Sequence, residues 1–286
     1  MKIDSETKIY GLLGHPLEHT ASPAMHNTAF RELGLNAVYL VFDVKPCAFQ
    51  DAVNDLKALH VCGFNVTIPY KEHVMQMMTH LDLSAKNVGA VNTVKVEQRS
   101  LIGYNTDLAG FLAPLIELDL KPRDFTFLIL GAGGAAKACI RALIDAGCEE
   151  LIVLNRSKER VITLAKRHIC PNLKVGHLNE QSLKDALSRA KIVVNATPVG
   201  MYPNDDDSLI PKALLRRDLI VYDLVYRPVQ TKLIREAKEV GATTISGYRM
   251  LLEQAAESFR IWTGLEPPKK AMLEALEREL GVKHDG

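Results

Sequence analysis

Paired cysteines are missing. The five present, Cys47, Cys62, Cys139, Cys148 and Cys170, are odd in number, scattered, and form no C-x-x-C. That excludes a disulfide scaffold and leaves them as buried or idle thiols. Metal-binding spacing is missing too, since the nine histidines supply no H-E-x-x-H, and no metal is expected. Nor is there an excess of charge: 35 Lys and Arg against 34 Asp and Glu leave +1. A general nucleic-acid or anionic-membrane binder is therefore not expected. No apolar run is long enough to cross a bilayer, because the stretch 125–136 is broken by three glycines and ends at Lys137. The first residues, with Lys2, Asp4, Glu6 and Lys8, lack the apolar core of a secretory signal. These absences predict a soluble, cytoplasmic globular protein, and 286 residues predict two domains.

The chain alternates strand and helix nearly throughout. Strands are expected at 8–13, 37–44 and 63–68, with a β-hairpin formed by 91–96 and 101–104. Ser22-Pro23 reads as an N-cap and first-turn proline opening a helix to about residue 33. A second helix is expected over 46–59, with Phe49, Val53, Leu56 and Leu59 on one face, and a third over 106–118. After the polar linker 121–124 the run 125–130 is almost wholly apolar, as in a parallel strand buried on both faces. A glycine turn, a helix to 146 and a strand at 151–154 complete a βαβ unit. Further strands are expected at 192–195, 219–223 and 243–245, and the last forty residues read as helical with a break at 264–268. The predicted fold class is α/β with two domains, the second doubly wound.

The turn Gly131-Ala132-Gly133-Gly134-Ala135-Ala136 lies directly between that buried strand and its helix. There the glycines let the backbone turn tightly and approach a pyrophosphate, which the helix N-terminal N–H groups hold. An NAD site usually ends the next strand in Asp or Glu, which accepts from the ribose 2′-hydroxyl. This strand ends in Asn155-Arg156-Ser157, with Arg160 one turn on. Two guanidiniums can clamp a 2′-phosphate that an acid would repel, so NADP is the expected cofactor. The alternative is that both arginines simply face solvent.

In the first half, uncharged hydrogen-bonding residues cluster at strand ends and helix starts: Thr20-Ala21-Ser22-Pro23, Asn65 to Lys71, Asn92-Thr93 and Asn105-Thr106-Asp107. Such a lining suits a polyhydroxylated small molecule. Read singly, Lys71 is a solvated helix start, Asp107 a helix cap, and His15, His19 and His26 loop or helix-face residues.

Taken in order, the motifs resemble the shikimate/quinate dehydrogenase family over essentially the whole chain. They are Ser22-Pro23 with His26-Asn27, Asn65-Val66-Thr67-Ile68-Pro69-Tyr70-Lys71, Gly89 to Thr93, Gly103 to Asp107, and the glycine turn with Asn155-Arg156-Ser157. Asn195 to Pro198, Gly200-Met201, Tyr222-Asp223 with Tyr226 and Pro228, Gly247, Met250-Leu251 and Gln254 complete the set. The resemblance implies NADPH-dependent, reversible reduction of 3-dehydroshikimate to shikimate. It implies that Lys71 and Asp107 are the catalytic pair and that Asn92, Gln254 and Thr67 bond the ring hydroxyls. Thr20, Ser22 and Tyr226 would hold the substrate carboxylate. The cofactor would lie on Gly131, Ala132, Gly133, Gly134, Ala135, Asn155, Arg156, Ser157, Arg160, Thr197, Met201, Val225, Gly247 and Met250. Domains are expected at 1–106 for substrate and 107–246 for NADP, with 247–286 returning to the first domain, so that Gln254 reaches substrate across an interdomain cleft.

Thr20 departs from the family's usual serine, and its extra methyl narrows the carboxylate pocket against quinate. An NAD-preferring quinate/shikimate enzyme is the alternative within the family, which Asn155-Arg156 argues against. From another class, a catalytically idle NADP-binding regulator would have no need of Lys71, Asp107, Asn92 and Gln254 together. A folate-interconverting enzyme is disfavoured by the small, hydroxyl-rich site. The expected assembly is a monomer or homodimer.

Overall fold

The computed structural model describes residues 3–18, 20–98, 100–167 and 170–282. The chain divides into two compact units, Met1–Asp107 with Leu252–Gly286, and Leu108–Leu251. Asp107 thus belongs to the first unit, and residues 247–251 to the second. No described helix is long and apolar enough to cross a membrane, and no described cluster of His, Cys, Asp and Glu could hold a metal.

The first unit carries β1 (Lys8–Gly14), α1 (Ser22–Glu32), β2 (Ala37–Asp43), α2 (Phe49–Ala58), β3 (Gly63–Val66), β4 (His80–Leu81), α3 (Leu83–Val88), β5 (Thr93–Glu97) and β6 (Ser100–Tyr104). Its sheet has the order β2-β1-β3-β5-β6-β4. β1, β2 and β3 run parallel, whereas β5 is antiparallel to β3 and β6 to β5. Phe49, Val53 and Leu56 of α2 are buried, but Leu59, expected on the same face, is 70% exposed because α2 ends at Ala58. Ser22 is not the cap of α1: the N-cap is Ala21, and Ser22 is the first helical residue, with its N–H donating to Thr20 Oγ1 at 3.3 Å. β4 and α3 carried no readable sequence signal, being two and six residues long. Asp82 caps α3 by accepting from the Ser84 N–H at 2.8 Å.

The second unit carries α4 (Asp107–Glu117, whose first residue belongs to the first unit), β7 (Thr126–Leu130), α5 (Gly134–Asp145), β8 (Glu150–Asn155), α6 (Lys158–Arg167), β9 (Leu173–His177), α7 (Glu180–Arg189), β10 (Ile192–Asn195), β11 (Ile220–Asp223), α8 (Lys232–Glu239) and β12 (Thr243–Ser246). Then come α9 (Gly247–Thr263) and α10 (Lys269–Leu280). The six strands are all parallel in the order β12-β11-β10-β7-β8-β9. That is a doubly wound sheet whose order reverses between β7 and β10, and the crevice at such a reversal is where ligands bind. Phe127, Leu128, Ile129 and Leu130 are fully buried, one pair facing each of two apolar clusters. β9, which the sequence reading lacked, has no fully buried residue, so no apolar run marks it.

α9 re-enters the first unit at Leu252 and is seated there by Trp262, whose Nε1 donates to the Val94 carbonyl at 2.9 Å. Gly63 permits this, since a Cβ at that position would lie 2.4 Å from the indole nitrogen. Beside Trp262 lies His26, on α1 as expected but fully buried; its ring stacks on Tyr39 with centroids 4.4 Å apart. Among the described residues neither ring nitrogen has a hydrogen-bond partner, so a charged imidazolium here would be desolvated without compensation. His15 instead bonds Asp43 at 2.6 Å on the surface; His19 lies outside the described residues.

Burial pushes His26 down to about 3, below the unfolded value of about 6.5. Its contribution to stability is therefore full above the unfolded value and is lost as pH falls from there towards 3, by up to about 5 kcal/mol. Chemical denaturation at pH 7 and pH 4 should show His26→Phe losing less stability on acidification than the unaltered chain. Equal losses would mean that His26 does not set the acid sensitivity.

Candidate active site and cofactor site

In the first unit, the ends of β3, β5 and β6 bring the polar motifs together. Lys71 Nζ lies 2.5 Å from Asp107 Oδ2, and the two side chains are only 16% and 5% exposed. Asp107 Oδ1 accepts from Asn92 Nδ2 at 2.8 Å. The orientation of this amide follows from its other end: the Thr106 backbone N–H can only donate, and it lies 2.8 Å from the Asn92 atom that must be Oδ1. The NH₂ group is thereby aimed at Asp107 and Thr106 Oγ1. The expected partners Lys71, Asp107 and Asn92 thus form one connected group, with Gln254 Oε1 at its margin, 3.5 Å from Asn92 Nδ2. Two backbone segments are joined as well, by the Val91 N–H donating to the Lys71 carbonyl at 2.7 Å.

Behind this group lies a second layer to which the sequence reading assigned no role. Thr93 Oγ1 and Ser258 Oγ are 2.8 Å apart, and Asn65 Nδ2 lies 2.9 Å from Ser258 Oγ. Asn65 Oδ1 accepts from the Tyr39 hydroxyl at 2.8 Å. All of these residues are buried, so each polar atom must find its partner within the network. Ser258 lies four residues after Gln254 on α9, which places both on one helix face. That spacing was the available signal, but a lone serine in a helix has many other uses.

Thr20 and Ser22 adjoin at the start of α1, and the Ser22 side chain is buried. Thr67 follows β3, with its N–H on the Leu13 carbonyl at 3.0 Å. Its methyl occupies the space over Gly14, where a Cβ would approach to 2.4 Å. Tyr226 belongs to the second unit and is partly buried.

In the second unit, Gly131 follows β7 with φ +121°, in the region that favours glycine. A Cβ there would lie 2.8 Å from the Ala196 carbonyl, across the sheet reversal, whereas Gly133 has open space around it. Gly133 is the N-cap of α5 and gives no side-chain cap, so the amides of Gly134 and Ala135 are available to an anion. Ala132 is buried, and Ala136, at the third glycine position, is fully buried. At the end of β8, Asn155 Nδ2 donates to the Ser157 carbonyl at 3.2 Å, and Arg156 and Arg160 are exposed. Ser157 Oγ donates to Glu159 at 2.7 Å and accepts, at 3.4 Å, from the Arg160 N–H. The residues present therefore fit a 2′-phosphorylated dinucleotide: close backbone approach at the turn, open helix amides, and no acid ending β8.

At the ends of β10 and β11, Thr197 donates through N–H and hydroxyl to Asn195 Oδ1 at 3.1 and 2.7 Å. The Val225 N–H donates to Asp223 Oδ1 at 3.1 Å. Met201 is 38% exposed, whereas Met250 is 7% exposed and packs in the apolar cluster. Gly247 starts α9 so close to the strand end that a Cβ would lie 2.4 Å from the Leu224 carbonyl. Asp223 itself is fully buried, and burial raises it to about 6 against the lowering effect of its hydrogen bonds from Thr231, Val225 and Asn195.

Three family models match the chain: the shikimate dehydrogenase substrate binding domain over residues 12–94, shikimate/quinate 5-dehydrogenase over 117–214, and the shikimate 5′-dehydrogenase C-terminal domain over 247–277. A shikimate dehydrogenase (NADP(+)) of Methanopyrus kandleri is 45% identical, with 98% of each chain covered. A crystal structure of shikimate dehydrogenase in complex with NADP+ superposes with TM-score 0.90 at 41% identity, covering 98% of each chain. The enzyme of Thermus thermophilus, solved with NADP(H) and shikimate, gives TM-score 0.86 at 37% identity over 96% of this chain and 100% of that one.

Gly131→Ala combines an unfavourable φ with contact against the Ala196 carbonyl. It should lower stability by about 2 kcal/mol or more in thermal or chemical denaturation and displace the turn. An unchanged melting temperature would mean the turn tolerates a side chain.

Proposed function

Because the chain belongs to the shikimate dehydrogenase family, we propose that it catalyses the reversible, NADPH-dependent reduction of 3-dehydroshikimate to shikimate in chorismate and aromatic amino-acid biosynthesis. The observation that carries this reading is the shielded Lys71–Asp107 pair, with Asn92 aimed at its carboxylate and Gln254 beside it. NADPH, when bound, supplies the hydride to the C3 ketone. The oxygen left behind needs a proton, which Lys71 Nζ gives in reduction and takes in oxidation. Asp107 fixes the ammonium, and Asn92 fixes Asp107. Asn92, Gln254 and Thr67 bond the ring hydroxyls, and Thr20, Ser22 and Tyr226 hold the carboxylate.

Gly131, Ala132, Gly133, Gly134 and Ala135 would hold the cofactor pyrophosphate, and Asn155, Arg156, Ser157 and Arg160 its 2′-phosphate. Thr197, Met201, Val225, Gly247 and Met250 would hold the nicotinamide end. The same reading puts the enzyme in the cytoplasm as a monomer or homodimer with small-molecule partners only, which the near-neutral charge balance supports.

Lys71→Ala should lower kcat for shikimate oxidation by about 10²- to 10⁴-fold while shikimate binding, followed by calorimetry, changes little. A loss confined to KM would assign Lys71 to binding instead. Arg156→Ala should raise KM for NADP+ about tenfold or more and leave NAD+ kinetics within about twofold. Parallel effects on the two cofactors would remove Arg156 from the 2′-phosphate. Absorbance at 340 nm with shikimate and quinate, each paired with NADP+ and NAD+, tests the whole reading; no reduction in any pairing would sink the activity.

A further inference from the structure

Asp223 is a carboxylate at the last position of β11 with none of its surface in water. Among the described residues no lysine or arginine is paired with it; its partners are three neutral donors. Asn195 Nδ2 and the Val225 N–H reach Oδ1 at 2.9 and 3.1 Å, and the Thr231 hydroxyl reaches Oδ2 at 2.6 Å. Burying a carboxylate without a cation is costly, and apolar packing alone would be served better by leucine. The charge calls for a reason.

The hydrogen bonds supply one. Asn195 is fixed in orientation, because the Thr197 backbone N–H can only donate and so must face Oδ1. Its NH₂ group then has two acceptors, Asp223 Oδ1 and the Val199 carbonyl at 3.1 Å. On the other side, Thr231 accepts from the Ile234 N–H at 3.2 Å and so caps α8 while donating to Asp223. One carboxylate therefore fastens the loop after β10, the loop after β11 and the start of α8. Gly247 closes against the same place, within 2.8 Å of the Asp223 carbonyl for a built Cβ. Hydrogen bonds to an ionised acceptor are shorter and roughly twice as strong as neutral ones, which explains a carboxylate where loops at a ligand crevice must be held still.

We propose that Asp223 is a positioning residue for the nicotinamide end of NADP(H), holding Thr197 and Val225 in the arrangement that receives the ring. This rests on the assignment of Thr197, Met201 and Val225 to that end of the cofactor. With none of its surface exposed, Asp223 acts through Asn195 and the Val225 N–H. The adenine end, at Asn155 to Arg160, shares none of these bonds.

The test compares binding of NADP+ and of 2′-phospho-ADP-ribose, which is NADP+ without its nicotinamide, by calorimetry. Asp223→Asn, with melting temperature measured alongside, should weaken NADP+ about tenfold and leave 2′-phospho-ADP-ribose within about twofold. Thr231→Val keeps the carboxylate but removes one of its donors, and should shift binding the same way by less. It serves if Asp223→Asn does not fold. Weakening of both ligands alike, or of neither, would overturn the proposal and leave Asp223 a structural residue. Emission of the dihydronicotinamide checks the assignment beneath it. If NADPH binds the unaltered chain with no change in that emission, the ring is not held at 197–225, and the assignment falls together with the proposal.

Discussion

The structure of the candidate active site depends on a single amide whose orientation is forced. Asn92 must turn its oxygen to the Thr106 N–H, and in doing so it presents hydrogens to Asp107. A carboxylate only 5% exposed would be costly if unpaired; here Oδ1 is taken by Asn92 and Oδ2 by Lys71. The remaining neighbours follow from the same requirement. Thr93, Thr106, Ser258 and Asn65 are buried, and each can be buried only because the next offers a partner. The network extends from the ion pair to Tyr39, whose ring stacks on His26. Polar chemistry thus gives way to an apolar aromatic core within a few residues.

The second unit is organised around backbone approach. Parallel strands buried on both faces leave their C-terminal ends as the accessible edge, and the reversal between β7 and β10 opens a crevice there. Gly131 meets the Ala196 carbonyl, and Gly247 meets the Leu224 carbonyl. At both places a Cβ would have to push backbone aside. The side chains that remain at these ends, Asn195, Thr197 and Asp223, bond one another. Rigid loops at a ligand crevice reduce the ordering that binding would otherwise require.

Much of this was legible from residue order. The run 125–130, the glycine turn and the strand ending in Asn155-Arg156 specify a dinucleotide unit because burial on both faces, close backbone approach and phosphate charge each restrict the residues allowed. The ordered motifs that resemble shikimate/quinate dehydrogenases single out Lys71, Asp107, Asn92 and Gln254, and these four side chains lie together in the fold. Segments with weak local signals were not legible. β4 and α3 are too short for a period to register, β9 lacks a buried run, and Leu59 followed the helical pattern just past the point where the helix stops.

What the sequence determined by itself is the set of local rules: where strands are buried on both faces, where only glycine fits, and that β8 ends without an acid. Those depend on neighbours within a few positions. Tertiary structure decided which polar groups satisfy one another. Ser258 meets Asn65 across 193 positions of chain, and Thr231 reaches back eight to Asp223. The position of His26 on a helix face is legible, but its enclosure by Tyr39 and by Trp262 from the far end of the chain is not. The physical reason is that burial, not residue type, determines whether a hydroxyl, carboxylate or imidazole needs a partner. Burial is a property of the folded chain as a whole.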